Sequence, residues 1–209
     1  YLKIKKFICL GDYVGYYYWP EKCIKKLNQI NGIMIKGNHE DILYKITKDF
    51  KYKEYIEEKY GNGHNIAIKK LSKSQIDFLH KLSNTKTLNL PNNLSLKICH
   101  GSPNSIDEYL YPNTDKILLD KLLEKDSLIA CGHTHYQMKY INEEKKIFFN
   151  PGSIGQPRLR GTKGACWASL CTETKKVKFH DTPYDKSKLL RSIEINDPKN
   201  NFLKDVLLR

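Results

Sequence analysis

No apolar run in this 209-residue sequence approaches the roughly 18 residues that a membrane-crossing helix needs, and no secretory leader is read at its start. There is no internal repeat and no low-complexity segment, and the composition is not that of a disordered chain. The six cysteines include no C-x-x-C pair. Cys9, Cys99 and Cys131 lie inside apolar runs that read as buried strands, which suits reduced, packed thiols better than a disulfide framework. Together these absences point to a folded cytoplasmic protein of one domain. Acidic residues are also short, 23 against 36 basic ones, for a formal charge of +13. Such a field attracts phosphate-bearing molecules, small or polymeric. The lysines are scattered, with no basic tract interleaved with aromatics, so a solvated basic surface stays open beside nucleic-acid binding.

What is present is an alternation of short apolar runs and polar loops. Lys5 to Leu10 reads as a buried strand ending in Gly11-Asp12. Pro20 then opens a helix carrying Cys23, Ile24, Leu27 and Ile30 at helical spacing. Ile33 to Ile35 is a second short strand, followed by Gly37-Asn38-His39-Glu40. Strand, helix, strand predicts an α/β unit with a parallel sheet. Asp41 to Leu82 reads as mostly helical, with a capping box at Ser74 and Asp77. Asn92-Asn93 separates two alternating runs, Thr85 to Leu90 and Leu94 to Cys99, as a hairpin turn. Thr114 to Leu123 reads as a helix capped by Thr114. Leu128 to Cys131 is another buried strand. Antiparallel pairs follow, Met138 to Ile141 with Lys146 to Phe149, and Ala165 to Leu170 with Lys176 to His180. The segment 186–209 reads as a surface tail of helix and loop beyond a domain spanning 1–185.

Four apolar runs end in clusters rich in His, Asp or Asn: Gly11-Asp12, Gly37-Asn38-His39-Glu40, His100-Gly101 and Gly132-His133-Thr134-His135. Loops at the carboxyl ends of parallel strands face a common crevice, so clusters distant in sequence can converge. Imidazole and carboxylate together favour a divalent transition metal over a plain magnesium site. His133 and His135 stand at i and i+2; in extended geometry both rings point the same way. Asp12, with two oxygens, can bridge two ions.

The order of these motifs resembles the calcineurin-like metallophosphoesterases. Gly11-Asp12-Tyr13-Val14-Gly15-Tyr16, Cys99-His100-Gly101-Ser102-Pro103 and Asn150-Pro151-Gly152-Ser153-Ile154-Gly155-Gln156-Pro157-Arg158 resemble their small prokaryotic phosphodiesterase branch, over roughly Ile4 to Asp181. The resemblance implies an α/β fold, a two-sheet β-sandwich flanked by helices, carrying two divalent metal ions. These are expected to be manganese, with iron, zinc, cobalt or nickel as alternatives. By the same resemblance Asp12 bridges both metals, Asn38, His100 and His133 complete one site, and His135 belongs to the other. His39 would stand beside the substrate phosphate, and a metal-bridging hydroxide would attack phosphodiesters or phosphomonoesters, nucleotides among them. Arg158 is a candidate phosphate clamp and Tyr16 a candidate pocket wall.

The chain departs from the family pattern before Asp12. The family opens with Asp-x-His about 30 residues ahead of Gly-Asp, and only eleven residues precede Asp12. That motif is expected upstream of Tyr1, with Tyr1-Leu2-Lys3 as the tail of the intervening helix. The alternative is a metal-poor member acting as a protein-interaction scaffold. Glu40 stands where Asp is usual, outside the ligand set, and Tyr17 and Tyr18 alter the cleft rim. His64, His80 and His180 fall in charged segments read as exposed, without a role.

Overall fold

A parallel pairing of two very short strands organises the beginning of the chain. The computed structural model describes residues 4–209, so the reading of Tyr1-Leu2-Lys3 as a helix tail lies outside the described residues. The chain divides into two units, Tyr1–Asn84 with Ser187–Asn200, and Thr85–Lys186 with Asn201–Arg209. No helix among the described residues is long and apolar enough to cross a membrane.

In the first unit β1 (Ile8–Cys9) runs parallel to β2 (Ile33–Met34). The strand expected over Lys5 to Leu10 is thus shorter and only partly buried, because its partner offers just two residues to pair. Between them lies α1 (Pro20–Gln29), where the fixed φ of proline suits the first helical position. Four helices follow: α2 (Asn38–Ile46), α3 (Phe50–Tyr60), α4 (Gly63–Lys70) and α5 (Lys73–Lys81). Leu43, Ile56, Ala67 and Leu79, one from each, meet in a core with Val14 and Ile24. The capping box opens α5 two residues earlier than read: the Ser72 hydroxyl accepts from the Gln75 N–H, and the Gln75 side chain accepts from the Ser72 N–H. Ser72, not Ser74, has the extended backbone that a cap requires.

The second unit is built on a five-stranded mixed sheet. Hairpin strands β3 (Thr85–Leu90) and β4 (Leu94–Cys99) pair antiparallel as their alternation predicts. Asn92 and Asn93 take φ of 61° and 53°, the left-handed turn that asparagine tolerates. A helix, α6 (Lys116–Leu122), is capped by Asp115, whose carboxylate accepts from the Ile117 N–H. The expected cap, Thr114, instead accepts from the Tyr111 N–H. Next come β5 (Leu128–Ala130), parallel to β4, then β6 (Gln137–Ile141) and β7 (Ile147–Pro151), with β7 parallel to β5. The sheet order is β3-β4-β5-β7-β6. Leu119, Leu122 and Leu123 at α6 pack on Ile129 and Phe148 of the sheet. An antiparallel pair, β8 (Gly164–Leu170) and β9 (Val177–Pro183), completes the strands.

The tail is more than a surface segment. It supplies α7 (Ser187–Asn196) to the first unit and α8 (Asn201–Leu208) to the second. Ile193, Leu203, Val206 and Leu207 are buried, the last three at helical spacing. Just past α7, the buried Asp197 carboxylate accepts from the Tyr18 hydroxyl at 2.6 Å and from the Asn62 N–H at 2.8 Å. That clamp fixes the turn from which α4 starts.

Candidate metal centre

Each unit brings its own sequence-marked residues to one end of its parallel strands. In the first, the chain leaves β1 through Gly11 and Asp12, both left-handed, at φ 96° and 57°. This conformation is strained for aspartate, and neighbouring hydrogen bonds hold it. Glu40, only 1% exposed, accepts from the N–H groups of Asp12 at 2.9 Å, Tyr13 at 2.7 Å and Gly37 at 2.8 Å. Three backbone donors on one buried carboxylate lock the loop after β1 to the start of α2. Glu40 is therefore a loop organiser and not an incidental replacement. The Asp12 carboxylate in turn accepts from the His39 N–H at 3.1 Å, and Asn38 opens α2 beside it.

His39 is buried among rings. The Tyr16 ring, expected as a pocket wall, lies 4.7 Å from it and the Tyr60 ring 4.8 Å, centre to centre. The reading of His64 as exposed is overturned: it is 1% exposed, with Nε2 3.2 Å from His39 Nδ1. Burial, then the neighbouring His39, pulls the His64 pKa down to about 3, so the ring is neutral. His80 and His180 lie elsewhere, stacked on Tyr44 and Trp167.

In the second unit His100 follows β4 and His133 follows β5, and both are buried. The Gly132 N–H donates to the His100 carbonyl at 2.7 Å, and His133 Nδ1 stands 3.2 Å from His100 Nε2. The extended geometry expected for His133 and His135 is not found, since both are left-handed at φ 63° and 64°. Their rings have different partners as a result, and His135 Nδ1 lies 2.9 Å from the Gln156 carbonyl. A carbonyl only accepts, so His135 carries its proton on Nδ1 and its lone pair on Nε2. Asn150, fully buried, holds the loop: its amide donates to the Gly132 carbonyl and to Thr134 Oγ1, and its oxygen accepts from the Gly152 N–H. Arg158 joins the same cluster through its backbone N–H, 3.3 Å from the His135 carbonyl. Its guanidinium donates to Gln156 Oε1 at 3.3 Å and lies 5.5 Å from the Phe202 ring centre. Tyr109, which no sequence signal singles out, places its exposed ring 4.2 Å from His133.

These donors fit a divalent transition metal. Two nitrogens each about 2.1 Å from one ion, at tetrahedral or octahedral angles, stand roughly 3.0–3.4 Å apart. The 3.2 Å between His100 and His133 meets that spacing, which equally suits an N–H···N bond in metal-free protein. A ligand imidazole typically gives its second N–H to a carbonyl, as His135 does. Burial pushes the strand thiols up, Cys9 to about 11, Cys99 to about 12 and Cys131 well above the ordinary thiol range.

The calcineurin-like phosphoesterase superfamily domain matches residues 2–174. An uncharacterized protein of Methanocaldococcus jannaschii is 30% identical over 214 residues, covering 92% of this chain and 82% of its own length. The crystal structure of a hypothetical protein from Pyrococcus horikoshii superposes with a TM-score of 0.84 at 22% identity, over 98% of this chain and 85% of that one. That of a metallophosphoesterase from Sphaerobacter thermophilus gives a TM-score of 0.69 at 20% identity, over 92% and 84%. Both share the fold.

Proposed function

The chain belongs to the calcineurin-like phosphoesterase superfamily, and on that premise we propose that it is a two-metal, manganese-dependent hydrolase of phosphodiesters or phosphomonoesters, nucleotide-type esters among them. The observation that carries this reading is the buried pair His100 and His133, ring nitrogens 3.2 Å apart just past the ends of two adjacent parallel strands. Asp12 is assigned to both metals, Asn38, His100 and His133 to one, and His135 to the other through Nε2. When bound, the cations supply Lewis acidity, making water nucleophilic near neutral pH and offsetting charge on the phosphoryl group.

The remaining work falls to protein groups. His39, with Nδ1 engaged by His64, moves a proton at Nε2 to the leaving oxygen. Tyr16 and Tyr60 brace the His39 ring and limit its rotation. Arg158 offers a guanidinium to a phosphate oxygen, whose geometry it matches. All six cysteines are free thiols, which supports a reducing, cytoplasmic setting.

The test is release of p-nitrophenol by the full-length protein from bis(p-nitrophenyl) phosphate and from p-nitrophenyl phosphate, with manganese added and its binding measured in parallel. Turnover of at least one ester is expected. Bound manganese without turnover of either would overturn the proposal.

A further inference from the structure

One buried histidine stands behind His39 and contacts it directly. We infer that His64 is a positioning residue for His39: its Nε2–H donates to His39 Nδ1, fixing the ring and keeping the His39 proton on Nε2. This rests on the assignment of proton transfer to His39.

The contact is built and not incidental. The two nitrogens are 3.2 Å apart, and the ring planes are within 12° of parallel with centroids 5.1 Å apart, the layout of two imidazoles hydrogen-bonded edge to edge. Two glycines make room for it. A Cβ on Gly15 would lie 2.1 Å from His39 Nδ1 and 2.9 Å from His64 Nε2, so both rings rest on that bare backbone at φ 102°. A Cβ on Gly63 would lie 2.4 Å from the Gly15 carbonyl oxygen, so α4 also starts against the same residue. Any side chain at either position displaces the pair. The Asp197 clamp on the Asn62 N–H holds the turn from which His64 projects.

The direction of the hydrogen bond follows from the far side of the ring. His64 Nδ1 is buried and has no hydrogen-bond partner among the described residues. A neutral imidazole carries one proton. Placed on Nδ1, that proton would be a buried donor with nothing to accept it; placed on Nε2, it meets His39 and leaves only a bare lone pair behind. Unpaired buried donors are the rarer and costlier defect. His64 is therefore the donor, His39 accepts at Nδ1, and the neutral His39 ring holds its proton on Nε2.

The experiment compares full-length wild type with His64→Gln, His64→Leu and His64→Asn. A glutamine amide reaches the place of Nε2, asparagine stops short of it, and leucine fills the volume without a donor. Expected for His64→Leu and His64→Asn is a fall in kcat on bis(p-nitrophenyl) phosphate of about tenfold to a hundredfold, with KM and bound manganese within about twofold of wild type. His64→Gln should recover most of the rate. In metal-free wild type, ring 15N shifts should show His39 protonated on Nε2, and His64→Leu or His64→Asn should shift the tautomer balance. Should leucine prevent folding, the asparagine and glutamine pair carries the comparison. The inference falls if glutamine is no better than asparagine in folded proteins, or if His39 carries its proton on Nδ1 in wild type. If wild type itself turns over no ester, the phosphoesterase reading falls instead, and the ring shifts alone decide the role of His64.

Discussion

His39 and His64 sit in contact yet were unequally visible in the sequence. His39 follows Gly37-Asn38 at the end of an apolar run, where a family motif marks it. His64 lies in a polar, charged stretch, and its burial comes from the apposition of Gly15 and Gly63, 48 positions apart in the numbering of a chain whose local pattern carries no trace of it. Glu40 was hidden for a similar reason: its three backbone partners are spread over residues 12, 13 and 37. Two predictions belong at this scale. His39→Ala should lower kcat by about 10²- to 10⁴-fold while manganese per chain, read by elemental analysis, stays near wild type; an emptied site would make His39 a holder of metal instead. The second concerns pH. His64 takes up a proton near 6.5 when unfolded but only near 3 when folded, so between these values the unfolded chain binds more protons. The stability of metal-free protein should thus fall as pH drops from about 6.5 toward 3, by as much as a few kcal/mol. Denaturant titrations at pH 7, 5 and 4 should show the slope in wild type and a shallower one in His64→Gln; equal slopes would deny His64 its share.

Among the elements, the β3–β4 hairpin was legible to the residue because alternation and an Asn-Asn turn agree. The loop after β5 was not. Spacing suggested extended backbone at His133 and His135, whereas both are left-handed, a conformation costing of order 1–3 kcal/mol that persists only where surroundings impose it. Here Asn150 imposes it, tying β7 to the Gly132 carbonyl and Thr134. Helix caps erred in the same way, by one residue at Asp115 and two at Ser72, since several hydroxyls or carboxylates compete at each start and only backbone geometry chooses. Asn150→Ala should leave the Gly152 N–H without its partner and the Gly132 carbonyl with the Thr134 N–H alone, lowering stability by about 1–3 kcal/mol. It should also weaken manganese binding, because His133 and His135 lose their support. Calorimetric melting and isothermal titration check both effects; a destabilised protein with undiminished manganese affinity would detach the loop from the metals.

For the molecule as a whole, the α/β class and the family were readable because every motif cluster ends a strand, and strand ends are what a parallel sheet gathers. The two-unit division was not readable: the chain returns to its first unit at Ser187 after running through Thr85–Lys186 in the second, and no composition shift announces it. The excess charge of +13 acts over the whole surface, drawing anionic esters toward the protein without naming one. The proposed function requires Asp12 and Asn38 to share cations with His100, His133 and His135. Anomalous diffraction at the manganese edge, on crystals of the full-length protein grown with manganese, tests that requirement. The predicted result is manganese within about 2.0–2.3 Å of an Asp12 oxygen and of ring nitrogens of both His100 and His133. Manganese bound at other side chains, with none shared between Asp12 and those histidines, would contradict it.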